Sequence, residues 1–128
     1  MANILLIEPD RILAQTYFDM LQHEGHSVVP VAGAQTAIMA ADKQQPDLVI
    51  LELQLVEHSG IEFLYEFRSY PEWQNIPVII QTQVPPAEFN NTLQIMRREL
   101  GVAQYLYKPQ TTLKQLISTV REQLPALV

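Results

Sequence analysis

Four consecutive apolar residues, Ile4-Leu5-Leu6-Ile7, stop abruptly at Glu8-Pro9-Asp10, and the pattern returns at Leu48-Val49-Ile50-Leu51-Glu52. Short unbroken apolar runs with polar ends read as strands buried on both faces. Such a strand must be covered from two sides, so the chain needs a layer above and a layer below its sheet. The carboxylates sit where each strand stops, at the mouth of whatever follows.

Between the runs the period changes. Leu13, Tyr17, Met20 and Glu24 fall on a helical spacing that ends at Gly25. Residues 26–31 carry Val28, Val29 and Val31, a second short strand, and residues 34–43 form a small-residue helix closed by Pro46. After the third strand, residues 53–58 are a loop. Ser59 with Glu62 then makes a capping box for the next helix. Residues 71–76 read as a loop and residues 77–82 as a fourth strand, with Pro77 at the first position, where proline is tolerated. Pro85-Pro86 opens a helix predicted to carry Phe89, Leu93, Met96 and Leu100 and to end at Gly101. Residues 102–107 are the fifth strand, stopped by Lys108-Pro109. Thr112 with Gln115 caps a last helix striped by Leu113, Leu116, Ile117, Val120 and Leu124.

Strict strand–helix alternation implies a parallel sheet between two helical layers with right-handed crossovers. The expected fold is α/β: a doubly wound (βα)5, flavodoxin-like three-layer sandwich with a five-stranded sheet of order 2-1-3-4-5. The length of 128 residues fits one domain, 1–128, with no output domain, and 48% hydrophobic residues suffice for one core. Fourteen acids against eight bases give a net charge of −6, which argues against nucleic acid as a partner. Without cysteine there are no disulfides or thiolate metal sites. No apolar run approaches the roughly 20 residues needed to span a bilayer, and no signal peptide is visible. A cytoplasmic protein without membrane contact is expected.

Ligand chemistry in this architecture lies beyond the C-terminal ends of the strands, at the switch point between strands 1 and 3. Those ends carry Glu8 and Asp10, Glu52, Thr82 and Lys108. Each has a plain structural reading. The acids suit the positive end of a helix, threonine favours strands, and lysine is ordinarily solvated. Their joint placement at four of five strand ends argues instead for one shared site. Carboxylates that close together raise one another's pKa unless a cation intervenes, and Lys108 or a divalent metal could supply it.

With those segments in view, the chain resembles the receiver domains of two-component response regulators, the CheY-like family. Residues 4–10, 46–60, 77–82 and 101–109 carry the resemblance, which covers essentially the whole chain. It implies a magnesium-binding acidic pair after strand 1 and an aspartate ending strand 3 that takes phosphate from a histidine kinase. It also implies a Ser or Thr ending strand 4 and a Lys-Pro ending strand 5 that hold the phosphoryl group, and an aromatic that turns inward on activation. By position these are Glu8 and Pro9, Glu52, Thr82, Lys108-Pro109 and Tyr105.

Two departures fall on the chemistry. Glu52 stands where the family has aspartate, and its extra methylene moves the carboxylate out by about 1.5 Å. A displacement of about 1 Å can cost on the order of 10²-fold where positioning is everything, as in phosphoryl transfer. Pro9 replaces the metal-binding aspartate and offers no side-chain oxygen, although proline suits the first position of a helix. Magnesium tolerates a lost ligand poorly, so weak or no magnesium binding and no other cofactor are expected; any residual metal site would use Glu8, Asp10 and Glu52. Lesser departures agree: Gln83 follows Thr82 where a small residue is usual, Val56 replaces a proline, and Gln110 an aromatic.

The resulting expectation is an atypical receiver, a pseudo-receiver that is not an enzyme. It would signal by binding a histidine kinase or downstream protein, with Glu52 paired to Lys108. A monoanion is a poor substitute for a phosphoryl group near charge −2, so an active-like state is the weaker part of that expectation. The alternatives are a working phosphoacceptor with a weakened magnesium site, and a small flavodoxin-like cofactor binder. The latter lacks a Gly-rich phosphate loop and a nucleophile–base pair. The resemblance implies an interaction face of helix 4, strand 5 and helix 5, with Arg97, Arg98, Tyr105, Tyr107, Lys114 and Arg121. An acidic partner or a symmetric homodimer would both fit it.

Overall fold

The computed structural model describes residues 2–89 and 92–124. Five strands, β1 (Asn3–Ile7), β2 (Ser27–Val31), β3 (Leu48–Leu51), β4 (Val78–Thr82) and β5 (Val102–Tyr107), form one parallel sheet of order 2-1-3-4-5. Helices α1 (Arg11–His23), α2 (Ala34–Lys43), α3 (Gly60–Ser69), α4 (Thr92–Arg98) and α5 (Leu113–Gln123) connect or follow them. The doubly wound arrangement of order 2-1-3-4-5 expected from the alternation is the one observed.

Period-two alternation along the buried strands divides the core in two. Leu5, Ile7, Val49, Leu51, Val78 and Ile80 face α2, α3 and α4. Ile4, Leu6, Leu48, Ile50 and Ile79 meet Tyr17 and Leu21 of α1 and Leu116 and Val120 of α5. Phe63, Phe67 and Trp73 stack in series, with ring centroids 5.3 and 5.1 Å apart. The Arg68 guanidinium donates to the carbonyls of Leu100, Trp73 and Gly101 at 2.7, 2.6 and 3.1 Å, fastening the α4–β5 turn to the end of α3.

Several boundaries differ from the sequence reading. Pro9 does not begin α1; Asp10 is its N-cap, and the helix starts at Arg11. Ser59 caps α3 through the Glu62 N–H, but the Glu62 carboxylate contacts His58 at 3.2 Å, so the box is half made. The Thr112–Gln115 box closes both ways. Residues 71–73 form a 3₁₀ turn within the expected loop. The helix expected from Pro85-Pro86 is instead a 3₁₀ turn, Pro86–Glu88, with α4 beginning at Thr92. Pro85 is held extended by the proline after it. The part of that expected helix at residues 90 and 91 lies outside the described residues.

Two local features set the site. A bulge between Val78 and Ile79 on the β4–β5 ladder pairs Ile79 with Gln104 and Ile80 with Tyr105. Val102 and Tyr105 therefore face the same core although three residues apart. At the edge, Ser27 N–H donates to the Ala2 carbonyl and the Val31 carbonyl accepts from Glu8 N–H. Alternate residues Val28 and Pro30 therefore turn their backbone groups away from β1.

Gly60 makes the approach of α3 to the end of β3 possible. A Cβ there would lie 2.7 Å from Leu53 Cα and 2.9 Å from the Glu52 carbonyl oxygen, both main-chain atoms that cannot yield cheaply. Gly60→Ala is expected to destabilise the fold by about 1–3 kcal/mol, the usual range for overpacking. Urea denaturation measures this, and an unchanged midpoint would contradict the close packing.

Candidate functional site

Glu8, Glu52, Thr82 and Lys108 converge at the C-terminal ends of β1, β3, β4 and β5. The Lys108 ammonium lies between the two carboxylates, 2.7 Å from Glu8 Oε1 and 2.6 Å from Glu52 Oε1. All three side chains are shielded: 7% of Lys108 and 3% of each glutamate remains exposed. Glu52 accepts four hydrogen bonds. Oε1 takes Lys108 Nζ and the Gln83 N–H, while Oε2 takes the Thr82 hydroxyl and the Gln54 N–H. A carboxylate has about four acceptor positions, so this one is saturated. Glu8 has fewer partners: Oε1 meets Lys108 and Oε2 accepts from the Asp10 N–H.

That inequality separates the two acids. Burial pushes the Glu8 carboxyl above its ordinary value, and Lys108 and the Asp10 N–H only partly offset it. Burial also acts upward on Glu52, but Lys108, the Thr82 hydroxyl and the Gln54 N–H together outweigh it and hold Glu52 below its ordinary value. Burial alone would lower Lys108; its hydrogen bonds to Glu52 and Glu8 reverse that and leave it raised. The arrangement is an ion triad with both glutamates bound to one cation.

Asp10 does not belong to it. Its Oδ1 accepts from the N–H groups of Ile12 and Leu13, satisfying the first turn of α1, and it is solvent-exposed. With Asp10 committed to the cap, the set Glu8, Asp10 and Glu52 does not converge, and no cluster of three acids or histidines suited to a metal occurs among the described residues. The residues therefore do not fit the magnesium ion that the resemblance implies. Pro9 has no side-chain oxygen to offer, and the Lys108 ammonium stands between the remaining carboxylates.

Thr82 passes the site's geometry outward. Its Oγ1 accepts from the Val84 N–H at 3.2 Å, and the Val84 carbonyl accepts from the Tyr105 hydroxyl at 2.7 Å. Tyr105 is thereby held half-buried against Phe89, edge to face at 6.2 Å. Burial, with the charges of Glu52 and Glu88, pushes its phenol up to about 12. A continuous chain of contacts thus runs from Lys108 through Glu52, Thr82 and Val84 to Tyr105.

Of the expected interaction face, Arg97 and Arg98 are exposed on α4 and Tyr107 is half-buried on β5. Arg121 turns the other way, pairing with Glu24 at the end of α1 at 2.6 Å. Lys114, exposed and seven residues before Arg121, shares that stripe of α5. A helix of this spacing cannot present them to α4 while Arg121 reaches α1. The sequence reading also missed Gln81, buried beside the triad's face of the sheet, whose amide donates to the Tyr17 hydroxyl at 3.3 Å. A polar residue inside the run Val78-Ile79-Ile80-Gln81 was the available signal.

Residues 4–121 match the family described as response regulator receiver domain. The chain belongs to that family. Receiver domains are modules of two-component signalling that work with histidine kinases and downstream proteins. The KDP operon transcriptional regulatory protein KdpE of Escherichia coli K12 is 29% identical over 109 residues, covering 85% of this chain and 45% of KdpE. The polar-differentiation response regulator DivK of Brucella anthropi is 23% identical over 122 residues, with 95% of each covered. The chain thus spans less than half of KdpE and nearly all of DivK. In fold it is similar to the Vibrio cholerae chemotaxis protein CheY4, at TM-score 0.85 and 23% identity over 97% of this chain and 99% of CheY4. Among the described residues, no helix is long and apolar enough to cross a membrane.

Removing the cation exposes the electrostatics. Lys108→Met leaves two buried carboxylates facing each other, a loss expected to cost about 3–5 kcal/mol near neutral pH. Lys108 is the largest influence lowering each carboxyl, and burial raises both, so its removal is expected to move both folded-state pKa values upward. Relative to the original protein, the folded variant is therefore expected to take up protons more readily as pH falls, which relieves part of the penalty in acid. Urea melts at pH 7 and 5 should show the penalty shrinking with acid; equal penalties at both would refute the triad's charge balance.

Proposed function

We propose that this receiver domain is a pseudo-receiver, signalling in the cytoplasm through protein contacts and without a phosphorylation cycle. The saturation of Glu52 carries this reading. A carboxylate whose four acceptor positions are filled by Lys108, Thr82 and two main-chain N–H groups has no lone pair directed toward an incoming phosphoryl group. Nor has it one for a metal, and Pro9 removes the ligand that would compensate. In-line phosphoryl transfer depends on both positioning and charge neutralisation, and each is lost here.

The resemblance further implies that the strand-4 hydroxyl holds the phosphoryl group and that an aromatic turns inward on activation. Here the Glu52 carboxylate occupies the Thr82 hydroxyl, and Tyr105 is held inward by the Val84 carbonyl. Glu52 thus takes the place of the phosphoryl group in organising these two residues, and the domain rests in an active-like arrangement. Its partner would be a kinase or effector surface that reads α4 and β5, where Arg97, Arg98 and Tyr107 lie, and two copies could share that surface. Lys114 and Arg121 fall outside it.

Addition of magnesium and beryllofluoride, a phosphoryl mimic, is expected to leave the amide signals of Glu52, Gln54, Gln83 and Val84 unmoved in NMR spectra. The double variant Pro9→Asp, Glu52→Asp should acquire a saturable, magnesium-dependent response. Saturable shifts in the unaltered protein would instead support a phosphoacceptor with a weakened metal site.

A further inference from the structure

A second feature lies beside the triad, on the other side of Glu8. Between α1 and the end of β2 runs a cleft of about 350 Å³, at the lower end of the range that holds small molecules (roughly 300–1,000 Å³). Its helical wall is the stripe of Arg11, Ala14, Gln15 and Phe18, spaced three and four residues apart and so on one face. Pro30 and Val31 form the wall opposite, and Pro9 and Glu8 close the inner end. Ala14 presents only a methyl group to the cleft, and the half-buried Phe18 adds an aromatic side chain to its lining.

The polar groups around this apolar trough are unequal. Glu8, at the inner end, is already bound by Lys108 and the Asp10 N–H. The Gln15 amide is turned to Asp19 at 2.8 Å. Arg11 is exposed and joins no ion pair among the described residues. The cleft therefore offers an aromatic and aliphatic lining, one uncommitted cation at its mouth and no uncompensated anion inside.

We propose that the α1–β2 cleft is a binding site for a small apolar anion, an aromatic carboxylate or sulfonate whose body lies against Phe18, Ala14 and Val31 and whose charge meets Arg11. Pro9 is at once a wall of the cleft and the residue joined to Glu8, so an occupant touches the segment that carries one arm of the triad. The site is independent of whether Glu52 accepts phosphate.

The probe is 8-anilinonaphthalene-1-sulfonate, titrated by fluorescence and by amide shifts. One saturable site is expected, with shifts at Ala14, Phe18, Val31 and Ala32. Arg11→Gln should weaken binding about two- to five-fold, as expected for an exposed ion pair. Ala14→Leu should abolish binding by filling the cleft, while Ala14→Ser, which keeps the space, should retain it; circular dichroism and melting temperature confirm that each variant is folded. The proposal fails if folded Ala14→Leu binds as tightly as the original. It fails equally if Arg11→Gln has no effect, or if the shifts map to the groove beside Val29 and Met39.

Discussion

One ammonium group holds the business end of this domain together. Parallel strands β1 and β3 are neighbours, and each ends in a glutamate, so the fold brings two carboxylates into a shielded crevice. That arrangement is tolerable only with a cation between them, and Lys108 provides it from β5, two strands beyond β3. The lysine therefore does more than neutralise charge. It ties the ends of three strands into one rigid cap and aims Glu52 so that its other oxygen captures Thr82. Everything downstream of Thr82, including the seating of Tyr105, depends on where that oxygen points.

The price of the arrangement is versatility. An aspartate stops short, and a cationic lysine opposite it is free to receive an incoming anion. A glutamate reaches across and occupies the lysine itself. With Asp10 spent on capping α1 and Pro9 lacking a side-chain oxygen, few side-chain ligands remain for a metal. The two departures, Glu52 and Pro9, read together, leave a pocket in which the Lys108 ammonium and the Thr82 hydroxyl are engaged by the chain's own carboxylate.

Much of this was legible beforehand. The apolar runs with polar ends are unambiguous because a two-sided strand has no wet face to blur its pattern, and their alternation with helical periods leaves few topologies. Glu8, Glu52, Thr82 and Lys108 could be placed together because strand ends in a parallel sheet necessarily share one edge. Asp10 could not be separated from Glu8, since the choice depends on which way the chain turns after Pro9. Arg121 was misplaced because a long side chain on a helix flank reaches either neighbour, and Glu24, its partner, lies 97 residues away. Tyr105 faces the core only through a bulge at the β4–β5 ladder, which no period announces. The prolines before α4 were read as a helix start, although two in succession favour an extended step and a tight turn.

Pro30 carries a consequence of its own. It stands on the outer strand of the sheet, at a position whose main-chain groups face away from β1, and it has no N–H to offer. Of the two residues so turned, Val28 alone can donate. A foreign strand laid along β2 would find its ladder interrupted almost at once. This edge is therefore closed to recognition by strand addition, and a partner on that side must engage side chains and contours in place of the peptide backbone.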